Sequence, residues 1–164
     1  MALVILGLGN DLLGDDGIGL LAAEALRSAE ASDVSIRTTT QSGLYLVEHL
    51  QGFDDAIVID SVIGDRPGTL RELQGSDLPT VPVPSAHYAG LPEALSLARA
   101  SGIHVPQRLR IFGVEIDPAQ RIGAPPSPTV AAAVPHVVDT VLRAARDWGY
   151  AVGSLLSEGV GSHA

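Results

Sequence analysis

Cysteine is absent from the chain. That excludes disulfides, thiolate metal sites and a cysteine nucleophile together. Any metal must be held by His, Asp, Glu, Asn or backbone oxygen. Lysine is absent as well, and the 10 basic residues are all Arg. A phosphate loop of the G-x-x-x-x-G-K-[ST] type is therefore missing. The arginines form no cluster and the formal net charge is −9. A duplex-binding protein normally shows a basic face, so nucleic acid is not an expected partner. Long apolar runs are also missing. None reaches the ~20 residues that span a bilayer, and no membrane insertion is expected. Residues 1–10 lack a basic leader region, and Asp11, Asp15 and Asp16 follow at once. This segment reads as a first strand and not as a signal peptide. The cytoplasm is the expected location.

What is present is an Ala/Val/Leu/Ile-rich chain of 164 residues, a length that suits one domain. A domain of this size buries roughly 70% of its unfolded surface and needs no staples. Ala2–Leu6 is a short apolar run stopped by Gly7-Leu8-Gly9-Asn10, as a buried strand would be. Ile18–Leu26 has helical spacing, with Ile18, Leu21, Ala22, Ala25 and Leu26 on one face. Val34–Thr38 is a candidate strand. Leu44–Leu50 reads as a helix with a Leu44, Val47, Leu50 stripe. Ala56–Asp60 is a second buried strand that ends on an acid.

Residues 64–68 form a turn, and Thr69–Leu73 reads as an edge strand. Leu78–Ala86 carries Pro79, Pro82 and Pro84 and reads as an extended loop that delivers His87. Leu91–Ala100 is a helix with Pro92 in its first turn. Leu109–Val114 is the last strand. Thr129–Trp148 is the closing helix, and Pro135 inside it is expected to kink or split it. The order predicts an α/β three-layer sandwich: a mostly parallel, twisted five-stranded sheet with helices on both faces. One domain is expected over residues 1–150, with a flexible C-terminal tail over 151–164.

In such sheets, function gathers outside the carboxyl ends of the strands. The Gly7-Leu8-Gly9 turn is not a dinucleotide fingerprint, because position 12 is Leu where a third glycine is required. It is explained equally by positive φ or close backbone approach. Asp15-Asp16 stands where a helix begins. One acid suffices to cap it, at ~1 kcal/mol. The second, Asp16, is then free to face the cleft. Asp60 lies at the crevice or caps the following turn. Of the five His residues, His87 is the most suggestive, because a proline-stiffened loop would place it with little entropy cost. Asp16, Asp60 and His87 together would make a divalent site with open positions for water or substrate, suited to nickel, zinc or iron. Without metal the same groups could do acid–base work. A Ser-His-Asp triad using Ser61 or Ser85 is the competing idea, but the chain has no G-x-S-x-G elbow.

The run from Gly7 to Gly19, with Val58-Ile59-Asp60 and Ser85-Ala86-His87, resembles the hydrogenase maturation endopeptidases. The likeness continues through Pro67-Gly68-Thr69, Gly90-Leu91, Phe112-Gly113-Val114 and Ser127-Pro128-Thr129-Val130. It covers nearly the whole chain up to the closing helix. It implies an endopeptidase that removes a C-terminal peptide from the large-subunit precursor of a nickel–iron hydrogenase. The family's metal-contacting positions fall on Asp16, Asp60 and His87. The nickel would arrive in the substrate and not as a permanent cofactor. The first position is often Glu in relatives and is Asp here. Residues 38–43 depart from the family's Asp-Gly-Gly-Thr-type loop, and only Gly43 corresponds. Peptidyl-tRNA hydrolases also open on Gly-Leu-Gly-Asn, but they continue with Pro-Gly and an early His that this chain lacks. A metal-sensing chaperone of the same fold is the non-enzymatic alternative.

Overall fold

The computed structural model describes residues 1–73, 88 and 90–153. His87, Ser85, the proline-rich loop and the tail from residue 154 lie outside the described residues. Five strands form one sheet: β1 (Leu3–Leu8), β2 (Val34–Thr39), β3 (Asp55–Ile63), β4 (Leu70–Leu73) and β5 (Arg108–Ile116). Their spatial order is β2-β1-β3-β5-β4. All pairs are parallel except β4 against β5. The mostly parallel five-stranded sheet is thus observed. The edge strand β4 is short, with exposed Arg71 and Glu72, and Glu72 takes a two-pronged contact from Arg110.

The strands are buried on both sides because two helical layers cover them. Along β1, Leu3 and Ile5 point into one core and Val4, Leu6 and Leu8 into the other, as the two-residue period of a strand requires. The first core takes α1 (Ile18–Ala25), α4 (Pro128–Ala131) and α5 (Val134–Asp147). The second takes α2 (Leu46–Leu50) and α3 (Leu91–Ala100). The alternation follows from connectivity. From β1 the chain moves outward to β2 and then returns past β1 to β3. Right-handed crossovers in opposite directions put α1 and α2 on opposite faces.

The structure corrects three local expectations. The buried face of α1 is Ile18, Gly19, Ala22, Ala23 and Leu26, while Leu21 is 41% exposed and Ala25 is exposed. Small residues win that face because the helix lies hard against the strands. A Cβ on Gly7 would overlap the Gly19 carbonyl and come within 2.7 Å of Ala23 Cβ, and one on Gly19 would overlap the carbonyl oxygens of Leu8 and Ile59. The second correction is in the Leu44–Leu50 segment. It begins as a 3-10 turn (Gly43–Tyr45), which leaves Leu44 64% exposed and buries Leu46 beside the expected Leu50. The third is that Asp60 does not end its strand, since β3 runs on to Ile63 beside β5. Pro135 does split the closing helix. It stands in the first turn of α5, where its missing N–H costs nothing and its ring avoids a clash with an upstream carbonyl.

Candidate functional site

β1 has β2 on one side and β3 on the other, so the chain reverses direction in the sheet between β1 and β3. In open α/β sheets that reversal opens a crevice at the carboxyl ends of the strands. The β1–β3 pairing stops at Gly7↔Ile59. β3 therefore leaves its β1 neighbour at residue 60, and Asp60 is the first residue past the shared ladder. Opposite it, the chain after β1 folds into a tight loop. Asn10 Oδ1 accepts from the Leu12 N–H at 3.0 Å. The Asn10 N–H reaches the Asp16 carbonyl and the Asp16 N–H reaches the Leu13 carbonyl. Gly9 allows this closure, because a Cβ there would overlap the Asp16 carbonyl oxygen. The close-approach reading of the glycines is the one observed: neither Gly7 nor Gly9 has positive φ.

The two adjacent acids of this loop divide the work. Asp15 is 6% exposed. Its Oδ1 accepts from the Ser127 N–H at 2.6 Å and its Oδ2 from the Ser127 hydroxyl at 3.0 Å. Ser127 precedes α4, so Asp15 satisfies an orphan donor at the start of a helix distant in sequence, not of its own. The Asp15 N–H donates to Gln120 Oε1 at 2.8 Å. Asp15 is a fastener. Asp16 sits in the 3-10 turn Gly14–Gly17, is partly exposed, and aims its carboxylate at β3.

Ser61 brings the two candidate carboxylates together. Its backbone N–H donates to Asp60 Oδ1 at 2.7 Å, and its hydroxyl donates to Asp16 Oδ1 at 2.5 Å. Alternation along β3 makes this possible. Asp60 points to the α2/α3 side with Val58 and Val62, while Ser61 points to the α1 side. Asp60 has no exposed surface. A buried carboxylate must be compensated by donors. One is the Tyr88 hydroxyl, which gives a 3.0 Å bond to Asp60 Oδ2. Burial, reinforced by the Asp60 charge, pushes the Tyr88 phenol well above its ordinary range, so it stays a proton donor. Gly113 pairs with Asp60 across β3 and β5. A Cβ there would come within 2.7 Å of Val62 Cγ1.

Asp16 and Asp60 thus meet at one serine, and the residue following His87 in the chain binds Asp60. Among the described residues, no group of three or more His, Cys, Asp or Glu side chains is placed to hold a metal. Sequence reasoning weighed Ser61 only as a nucleophile and missed Tyr88 altogether. The signal for Tyr88 was its position one residue after His87 in an otherwise aromatic-poor chain. The Ser61 hydroxyl proton is directed to the Asp16 carboxylate.

The fold defines an α/β protein in which two acids, Asp16 and Asp60, both bond Ser61 at the topological switch point of the sheet. Residues 24–144 match the hydrogenase maturation protease family. The chain is 35% identical over 156 residues to the hydrogenase expression/formation protein HupD of Rhizobium leguminosarum bv. viciae, covering 92% of this chain and 77% of that one. It is 32% identical over 158 residues to the hydrogenase 2 maturation protease of Escherichia coli, covering 91% and 93%. The solved hydrogenase maturating endopeptidase HybD from E. coli superposes with a TM-score of 0.77 at 30% identity, covering 91% and 94%. The chain belongs to the hydrogenase maturation protease family, a class of endopeptidase. No described helix is long and apolar enough to cross a membrane.

Proposed function

We propose that this endopeptidase removes the C-terminal peptide of a nickel-loaded hydrogenase large-subunit precursor, and that Asp16, Asp60 and His87 contact the nickel carried by that substrate. The observation that carries the reading is the convergence of Asp16 and Asp60 on Ser61 at the switch-point crevice. Two carboxylates that share a site repel each other, and a divalent cation between them relieves that repulsion. Among the described residues no arginine is paired with Asp16. An oxygen-rich set without thiolate suits a transient contact with a hard or borderline ion. Hydrolysis consumes one water, leaving a carboxyl on the trimmed subunit and an amine on the released peptide. Asp60, fixed by Tyr88 and Ser61, is the inner, pre-oriented member of the site. Asp16 is the outer member that meets the substrate.

The test is to incubate the protein with precursor of verified nickel occupancy and follow the large subunit by mass. The expected result is loss of the C-terminal peptide. Asp16→Asn, Asp60→Asn and His87→Ala are each expected to abolish that loss with an unchanged circular dichroism spectrum. Intact precursor with the parent protein overturns the peptidase reading. Normal processing by His87→Ala overturns the site assignment.

A further inference from the structure

Ser61 occupies a position that the paired-carboxylate reading does not itself require. It is 4% exposed. It touches both acids through different groups, its backbone N–H with Asp60 and its side chain with Asp16. The backbone bond would survive substitution of the side chain, and the Asp16 bond would not. Asp16 has a single methylene to place its carboxylate. It stands in a 3-10 turn whose N-cap and C-cap supply no side-chain bond. The Ser61 hydroxyl is the one described side-chain donor to the Asp16 carboxylate.

We propose that Ser61 is a positioning residue, whose hydroxyl fixes the Asp16 carboxylate in register with Asp60 so that both oxygens face one divalent cation. The inference rests on the proposed nickel-reading site. A carboxylate that also accepts from a hydroxyl keeps a defined lone-pair direction for the metal, and loss of such a supporting bond costs roughly 10–100-fold in metal affinity or activity. Ser61 acts through Asp16, so its effect must disappear when Asp16 has no carboxylate.

The experiment measures binding of nickel ion alone to the purified protein by isothermal titration calorimetry, and processing of nickel-loaded precursor. The parent protein is compared with Ser61→Ala, Ser61→Thr, Asp16→Ala and the Asp16→Ala/Ser61→Ala pair. Ser61→Ala is expected to weaken nickel binding roughly 10-fold. It is expected to raise KM for the precursor by a similar factor, with kcat changed by less than about threefold, because a ground-state contact is lost. Ser61→Thr keeps the hydroxyl and is expected to restore both. In the Asp16→Ala background, Ser61→Ala is expected to change nickel affinity by less than about twofold. Parental affinity and KM in Ser61→Ala, or an equal loss in both backgrounds, overturns the proposal. If Ser61→Ala melts early, Ser61→Cys carries the test, with the same loss expected from its weaker donor and parental behaviour counting against it. Asp60→Asn is the control that separates the two levels. Processing at the parental rate by Asp60→Asn removes the site reading itself, whereas its loss alongside a parental Ser61→Ala removes only the role of Ser61.

Discussion

Asp15 binds Ser127 through both the backbone N–H and the hydroxyl of the serine, across 112 positions of sequence. This contact ties the loop after β1 to the start of α4. Hydrogen bonds donated to charged acceptors contribute about 1.5–3 kcal/mol. Asp15→Ala is expected to lower stability by roughly that amount, or several degrees of thermal midpoint in a domain of this size. Asp15→Asn, which keeps an acceptor oxygen, is expected to lose less. Calorimetric scans of the three proteins check the order, and equal midpoints would deny Asp15 its fastening role.

Gly19 lies inside α1, where alanine ordinarily stabilises a helix by roughly 0.5–1 kcal/mol. Here the sign is expected to reverse, because a Cβ would overlap the backbone oxygens of both Leu8 and Ile59. Overpacking of this kind costs about 1–3 kcal/mol. Urea unfolding of Gly19→Ala reads the sign directly. A variant more stable than the parent would contradict the close approach of α1 to β1 and β3.

Asp55 lies at the far end of the sheet from the crevice, 3% exposed. It receives Arg108 through Nε at 2.6 Å and Nη2 at 2.8 Å, and the Tyr150 hydroxyl at 2.5 Å. The Arg108 bonds, helped by Tyr150, hold its carboxyl below the ordinary carboxylate range. The folded-state value is depressed, so the stabilisation is complete above the unfolded value of about 3.9. It fades as pH falls through the folded value. The thermal midpoint of the parent is expected to drop as pH is lowered from about 5 toward about 3, with a shallower drop in Asp55→Asn. Parallel slopes would assign the acid sensitivity elsewhere.

Tyr88→Phe removes a donor from buried Asp60 and leaves the ring in place. A buried acceptor deprived of a partner costs about 1–3 kcal/mol, and a supporting bond to a metal-contacting carboxylate costs roughly 10–100-fold in activity. Both losses are expected together, read as urea midpoint and processing rate. A fully active Tyr88→Phe would show that Asp60 does not need this bond.

Most of the sheet was legible because buried parallel strands announce themselves as short apolar runs. Leu3–Leu8, Val34–Thr39 and Arg108–Ile116 fall within two residues of their expected limits, and Pro135 marked the break before α5. The misjudged α1 face shows where periodicity stops. It ranked Leu21 above Gly19 and Ala23 by apolarity, whereas the contact is set by how near two backbones can come. Asp60 looked like a strand end because it interrupts an apolar run. Its neighbour β5 extends further than β1 does, and only pairing register reveals that. Asp16 was legible as the spare acid where a helix begins, and Asp60 as an acid interrupting an apolar run. Ser61 was not legible as their bridge, since a side chain that links two others has no pattern of its own.

The register of β3 has a further consequence for the way the chain is made. β3 gains one edge from β1, synthesised before it, and the other from β5, which pairs Asp55 with Arg108 and ends at Ile116. While a ribosome is still building the intervening stretch, the apolar Ala56–Ile59 segment has one unsatisfied edge. Such an edge is a template for pairing with a neighbouring nascent chain. Codon substitutions that slow elongation between residues 64 and 107 would lengthen that interval without altering a single side chain of the finished enzyme.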